Sequence, residues 1–152
     1  MRSLIPQTWA HLTFLMPAIQ LARLSGFSPI VVTASRHNAD LVRSLGATHV
    51  IDRKADIVAE ASNIFTSPPN FVFDTVSEDT QEVAWKILGR NGTLALVLPV
   101  SPNITPGEDG KTVFAVFGNS PVNRDLSRRL FSNLTQLVES GKIKASVHLS
   151  VF

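Results

Sequence analysis

The 152-residue chain contains no cysteine. This absence excludes disulfide bonds, thiolate ligands for zinc and a cysteine nucleophile. The four histidines, His11, His37, His49 and His148, follow no metal-ligand spacing, whereas a zinc site needs three or four converging ligands. The sequence therefore predicts no metal site.

Long apolar runs and basic clusters are absent as well. No apolar run approaches the ~18 residues that cross a bilayer, and polar residues interrupt the apolar start of the chain, unlike a signal peptide. The net charge is +2, and the longest basic cluster is the pair Arg128–Arg129. Nucleic-acid binding requires denser basic clustering. We expect no nucleic-acid partner, no membrane partner and a cytoplasmic location.

What the sequence does contain is typical of one globular domain. Hydrophobic residues make up 44% of the chain and charged residues 17%, and a chain of this length can bury a substantial core. Short β-branched runs alternate with helical patterns. Strands are predicted at 29–34, 49–52, 71–76, 93–99 and 112–118. Helices are predicted to start at Pro17, at Asn38, near Ala55, at Ser77 and at Asn123. This alternation indicates parallel βαβ units in a doubly wound sheet, and the last residues, 142–152, are predicted as strand or tail.

Five segments resemble a known family. They read "AIQLARLSGFSPIVVTAS", "LVRSLGATHVID", "FVFDTVS", "AWKILGRNGTLALVLP" and "VFAVFG", in this order from Ala18 onward. Together they resemble the cofactor-binding domain of the medium-chain dehydrogenase/reductase superfamily. Within it, they are most similar to fungal zinc-independent trans-acting enoyl reductases and to quinone-oxidoreductase-like proteins. The resemblance extends to about Lys144 and implies an α/β, Rossmann-like, doubly wound parallel sheet.

Two parts of the family pattern have no counterpart in the sequence. The N-terminal catalytic domain is absent, and so are the usual first strand and glycine-rich loop, because "IPQTWAHLTFLMP" stands before the "AIQLA" helix and contains no glycine. Glycines at that place let the backbone approach the cofactor pyrophosphate. A strand at 11–15 remains an alternative. We interpret residues 1–16 as an atypical segment and 17–152 as a partial Rossmann-like NADP-binding domain.

The turn after the first predicted strand is the candidate phosphate site. It contains Ser35, Arg36, His37 and Asn38, with no acid until Asp40. The family places an acid here for the ribose of NAD and a basic, hydroxylic cluster for the 2′-phosphate of NADP, so the resemblance implies NADP as cofactor. The alternative is a polar strand-to-helix turn in which Asn38 caps the helix.

Further cofactor and substrate residues follow from the resemblance. Arg53 stands where relatives commonly have a tyrosine near the adenosine phosphate, but a solvated loop arginine is an equal alternative. Leu98 and Pro99 are expected near the nicotinamide, and Phe117 and Gly118 near the substrate. Ordinary strand termination explains these four residues equally well.

Asp74 has two interpretations. It either reaches the ribose side of the site or, as we favour, bonds to neighbouring backbone at the end of its strand. No catalytic residue is identified.

The resemblance implies an NADPH-dependent, zinc-independent oxidoreductase as a truncated cofactor-binding domain. The substrate would be an acyl group bound to a polyketide synthase, for an enoyl reductase of secondary metabolism, or a quinone or alkenal. We expect no catalysis by the chain alone, because family contacts to the substrate come partly from the missing domain. The alternative is a non-catalytic remnant or a nucleotide-binding or interaction module. The oligomeric state stays open.

Overall fold

Helices and strands alternate along the chain, as the sequence predicts. The structure, a computed structural model, describes residues 7–116 and 123–144, and side chains from residue 14 onward. The helices are α1 (Gln7–Leu24), α2 (Ala39–Leu45), α3 (Ile57–Ile64), α4 (Glu78–Ile87) and α5 (Arg124–Glu139), and the strands are β1 (Val31–Ala34), β2 (His49–Asp52), β3 (Phe71–Asp74), β4 (Thr93–Leu96) and β5 (Thr112–Ala115). None of the helices in the described residues is both long enough and apolar enough to cross a membrane.

All five strands pair in parallel, but they form two separate sheets. One sheet has the order β1-β2, and the other has the order β3-β4-β5. In a doubly wound fold with strand order 3-2-1-4-5-6, the first strand lies between the second and the fourth. The inner edges of β1 and β3, which have no strand partner among the described residues, correspond to that position. This split agrees with the expected absence of the family's first strand.

Each sheet has its own apolar core. The first core packs α1 and α2 on β1 and β2, and its buried members are Ile19, Ile30, Val32, Ala34, Val42, Leu45 and Ala47. The second core packs α4 and the chain after β4 on the three-stranded sheet, with Ala84, Trp85, Leu88, Leu94, Leu96 and Ile104 buried. Helix α3 connects the halves, since it packs against both β2 and α4.

Helix α1 starts earlier than the sequence predicts. It begins at Gln7, so Pro17 lies inside the helix and not in its first turn. The proposed strand at 11–15 is wrong, because these residues are helical. Proline has no N–H and removes one hydrogen bond from a helix interior, but the next turn is held by Ile19, which is buried in the first core.

Helix α4 starts where the sequence predicts it, after Ser77, and side chains stabilise this start. Ser77 and Thr80 form a reciprocal capping box, and Glu78 and Asp79 occupy the first turn. Side-chain caps satisfy free backbone N–H groups, and acidic residues interact favourably with the positive end of the helix dipole. The cap thereby fixes where α4 begins after β3.

Four predicted strands are longer than the observed ones. Observed β1 begins two residues later than predicted, at Val31. Strands β3, β4 and β5 end at Asp74, Leu96 and Ala115. Residues 117–118 of the fifth predicted strand, and 145–152 of the C-terminal prediction, lie outside the described residues. The chain therefore leaves the sheet earlier than predicted at three carboxyl ends, and the predicted nicotinamide contacts Leu98 and Pro99 follow one of them, the end of β4.

Replacing Leu94 by alanine tests the second core. Leu94 is fully buried, so Leu94→Ala should reduce the free energy of unfolding by about 2–5 kcal/mol. Leu126→Ala is the matched control, because Leu126 is 61% exposed and should change stability little. Urea unfolding measures both values, and equal losses in the two variants would contradict this core assignment.

Candidate nucleotide-binding site

A polar cleft lies at the carboxyl ends of β1 and β2. The register pairs Ala34 with Asp52, so the residues that follow the two strands face each other. The cleft has a volume of about 550 Å³ and is lined by Ser35, Arg36, His37, Asp52, Arg53, Lys54 and Ala55. Ligands of open α/β sheets bind at this end of the strands.

Asp52 organises the cleft. Its Oδ2 accepts a hydrogen bond from Arg36 Nε at 2.7 Å, and its Oδ1 accepts one from the Lys54 backbone N–H at 3.0 Å. The Lys54 N–H and, to a lesser extent, the hydrogen bond and charge of Arg36 hold the pKa of the Asp52 carboxyl below its ordinary value, although partial desolvation opposes the shift. Asp52 is therefore a carboxylate at neutral pH and orients Arg36.

The exposed cationic side chains of the cleft favour binding of an anion. The Arg36 side chain is 90% exposed, and its terminal nitrogens have no hydrogen-bond partner in the described part of the chain. Arg53 and Lys54 are also exposed, so three cationic side chains outnumber one carboxylate. A guanidinium with two free N–H groups can bind a phosphate through two charge-assisted hydrogen bonds.

Only part of the predicted phosphate turn lines the cleft. Ser35, Arg36, His37 and Arg53 line the cleft, whereas Asn38 does not. Asn38 occupies the N-cap position of α2 but makes no side-chain cap hydrogen bond. Sequence analysis missed Asp52 and Lys54, although Asp52 ends a predicted strand and so marks the same edge as Ser35.

Leu98 and Pro99 lie apart from the cleft, after β4, and both are exposed. They belong to a row of exposed apolar residues that we term the apolar rim, which consists of Val76, Leu98, Pro99, Val100 and Val116. The four residues of the rim other than Pro99 are 38–41% exposed. Backbone bonds from Val97 N to Asp74 O and from Val116 N to Leu96 O continue the strand pairing by one residue. The register thus gathers the rim at one edge.

The other predictions for this edge have different outcomes. Phe117 and Gly118 lie outside the described residues. Asp74 is buried, and its Oδ1 accepts the Val76 N–H at 3.0 Å, which is the backbone-bonded interpretation that we favoured. Sequence analysis missed Val76, Val100 and Val116, because only the strand ends reveal that they share an edge with Leu98.

Comparison with known proteins identifies the family. The sequence pattern of the zinc-binding dehydrogenases matches residues 16–127. The chain belongs to this family. In the described residues, no group of three or more histidine, aspartate or glutamate side chains could hold a metal ion. These residues do not fit zinc, so no step is assigned to it.

The relatives include fungal trans-enoyl reductases. The chain is 36% identical to one from Aspergillus japonicus over 132 residues, which cover 84% of the chain and 38% of that protein. It is 32% identical to another from Alternaria alternata over 136 residues, which cover 87% of the chain and 38% of the relative. The chain thus spans about two fifths of the length of these relatives.

Solved structures share the fold. Benzyl alcohol dehydrogenase from Acinetobacter calcoaceticus is 26% identical with a TM-score of 0.67, over 84% of this chain and 37% of that one. Escherichia coli quinone oxidoreductase complexed with NADPH is 24% identical with a TM-score of 0.68, over 87% of this chain and 44% of that one. These comparisons support the predicted medium-chain dehydrogenase/reductase domain and its Rossmann-like fold.

Titration of Asp52 tests how the cleft is organised. Arg36→Gln should raise the pKa of the Asp52 carboxyl, because one hydrogen bond and one positive charge are lost. The pKa should stay below the model-compound value of 3.8, since the larger contribution, from the Lys54 N–H, remains. Carbon NMR of the carboxyl measures this shift. Arg43→Gln is the control, since Arg43 pairs with Asp40, and an equal shift in the control would contradict the assignment.

Proposed function

We propose that the chain is a cytoplasmic NADP-binding domain of an oxidoreductase that reduces an activated double bond or carbonyl without zinc. The adenosine 2′-phosphate lies in the cleft between Arg36 and Arg53, and the nicotinamide lies on the apolar rim. The single observation that carries the proposal is Arg36, which lines the cleft and which Asp52 holds by Nε at 2.7 Å, leaving its terminal nitrogens without a partner in the described residues.

The charge of the cleft supports NADP over NAD. An NAD site uses a carboxylate that accepts hydrogen bonds from the ribose hydroxyls. Here the residues that follow β1 are Ser35 and Arg36, and the cleft carboxylate of Asp52 already accepts hydrogen bonds from Arg36 and Lys54. A 2′-phosphate adds its own negative charge to hydrogen bonds with these cations and can accept two from one guanidinium, whereas a ribose hydroxyl carries no charge.

The helix N-terminus that usually binds the pyrophosphate lies elsewhere in this chain. A dinucleotide normally sits at the free N–H groups of a helix N-terminus that follows a glycine-rich loop. Helix α1 begins at Gln7, ten residues before Pro17, which moves its N-terminus by about 15 Å at 1.5 Å per residue. Binding of the cofactor therefore depends on its two ends.

The apolar rim supports the chemical role. The nicotinamide cofactor, when bound, supplies the hydride, and the chain's own exposed apolar residues give the ring and an apolar acyl or quinone substrate a surface from which water is partly excluded. A trans-enoyl reductase from Aspergillus japonicus is among the relatives, which favours an enoyl group carried by a polyketide synthase. A quinone or alkenal is the other substrate class.

A second candidate function is a non-catalytic nucleotide-binding module. It is favoured by the continuation of α1 through the place of the glycine-rich loop. Such a module would bind NADPH through the same cleft without reducing enoyl thioesters or quinones. Activity assays with both substrates, in the presence of NADPH, distinguish the two candidates.

Calorimetric titration with NADPH and NADH tests the cofactor assignment. We expect selective binding of NADPH, and Arg36→Ala should weaken it about tenfold or more, since a hydrogen bond to a charged group contributes about 1.5–3 kcal/mol. Arg43→Ala is the matched control because Arg43 is exposed and does not line the cleft. A folded protein that binds neither nucleotide, or binds both equally, would refute the assignment.

A further inference from the structure

The loop that carries much of the apolar rim is bonded to α4 by two consecutive side chains. The first is Gln81, which is fully buried. Its Nε2 donates to the Pro99 carbonyl at 3.0 Å, and its Oε1 accepts the Ser101 backbone N–H at 2.8 Å. The amide of Gln81 thus satisfies two backbone groups of the loop, as a neighbouring strand would.

The second side chain is Glu82. Its Oε1 accepts hydrogen bonds from Asn103 Nδ2 at 2.8 Å and from Ser101 Oγ at 3.1 Å. These two bonds, and more weakly the charge of Lys86, lower the pKa of the Glu82 carboxyl against partial desolvation. Glu82 is therefore an anionic acceptor at neutral pH, and charge-assisted hydrogen bonds of this kind are stronger than neutral ones.

These bonds fix the loop backbone but leave its apolar side chains exposed. Ser101 is buried, and Ile104 anchors the end of the loop in the second core. Leu98, Pro99 and Val100 nevertheless remain exposed. Since the loop does not bury these three residues, the hydrogen-bonded loop presents them to whatever binds at the carboxyl end of β4.

We propose that Gln81 and Glu82 are positioning residues, which hold Leu98, Pro99 and Val100 in the arrangement that receives the nicotinamide end of the cofactor. This inference rests on the proposed NADPH binding. Neither side chain needs to touch the cofactor, since Gln81 acts through backbone groups of the loop and Glu82 through the side chains of Ser101 and Asn103. The cleft at β1 and β2 is built by other residues, so the binding of the adenosine end is independent of them.

Substitution of Glu82 tests whether this residue affects binding of the nicotinamide end of the cofactor and not binding of the adenosine end. Glu82→Ala removes the acceptor of two hydrogen bonds, whereas Glu82→Gln keeps an amide oxygen in its place. Glu78→Ala removes the same charge from an exposed position of the same helix. In each variant, calorimetry gives the Kd of NADPH and of adenosine 2′,5′-bisphosphate, which lacks the nicotinamide, and NMR hydrogen exchange follows the Ser101 N–H.

We expect Glu82→Ala to weaken NADPH binding about five- to tenfold. It should also speed exchange of the Ser101 N–H, although the acceptor Gln81 Oε1 remains, because loss of the bonds from Ser101 Oγ and Asn103 Nδ2 lets the loop open more often. Binding of the bisphosphate should stay within twofold of the wild type. Glu82→Gln should recover most of both losses, and Glu78→Ala should show neither. General destabilisation of the fold would instead weaken both ligands together.

Two results would overturn the inference while leaving the proposed function intact. One is an unchanged ratio of the two Kd values in Glu82→Ala, and the other is unchanged exchange of the Ser101 N–H. A third result also overturns it, together with the proposed place of the nicotinamide: a wild-type chain that binds NADPH no more tightly than it binds the bisphosphate. A wild-type chain that binds neither ligand refutes the proposed function itself, together with the positioning role that rests on it.

Discussion

The register of the parallel strand pairs is the constraint on which both candidate sites depend. A shift by one residue would turn every side chain of a strand to the opposite face. In the observed register, the buried Val32 is paired with Val50, which packs against the same core, and Ala34 is paired with Asp52. That pairing brings Arg36 within 2.7 Å of a carboxylate sixteen residues away. The same argument applies to the second sheet, where the pairing of Asp74 with Leu96 sets the start of the apolar rim.

The sequence predicts strand centres better than strand ends, for a physical reason. Runs such as Val31–Ala34 are rich in β-branched and apolar residues, and this composition predicts a strand. Their ends depend on side chains that capture backbone groups. The Asp74 carboxylate accepts the Val76 N–H, and Gln81 bonds Pro99 and Ser101. Such contacts take the backbone out of the ladder, and those of Gln81 join residues eighteen and twenty positions apart, which no local pattern reveals.

The start of the first helix is an element that sequence analysis predicted wrongly. Proline favours the first turn of a helix, so Pro17 predicts a start that the structure places ten residues earlier. An interior proline costs about 3 kcal/mol or more, and the burial of Ile19 against β1 offsets part of that cost. The sequence shows that glycine is absent from the segment before Pro17, and this absence predicted the loss of the phosphate loop. The continuous helix was not predicted, because Pro17 locally indicates a helix start, whereas its place inside the helix depends on contacts of Met16 and Ile19 with the first core.

The two candidate half-sites differ in the forces that they use, and each belongs to its own sheet and core. The cleft at Arg36 is polar and exposed, so its attraction for phosphate is screened by salt over about 8–10 Å. The apolar rim acts through burial of surface, which salt screening does not weaken. Between them, the inner edges of β1 and β3 have no strand partner in the described residues. Because the two half-sites are built on different sheets and different cores, each can keep its own ligand preference, and a nucleotide that reaches both is recognised at its ends.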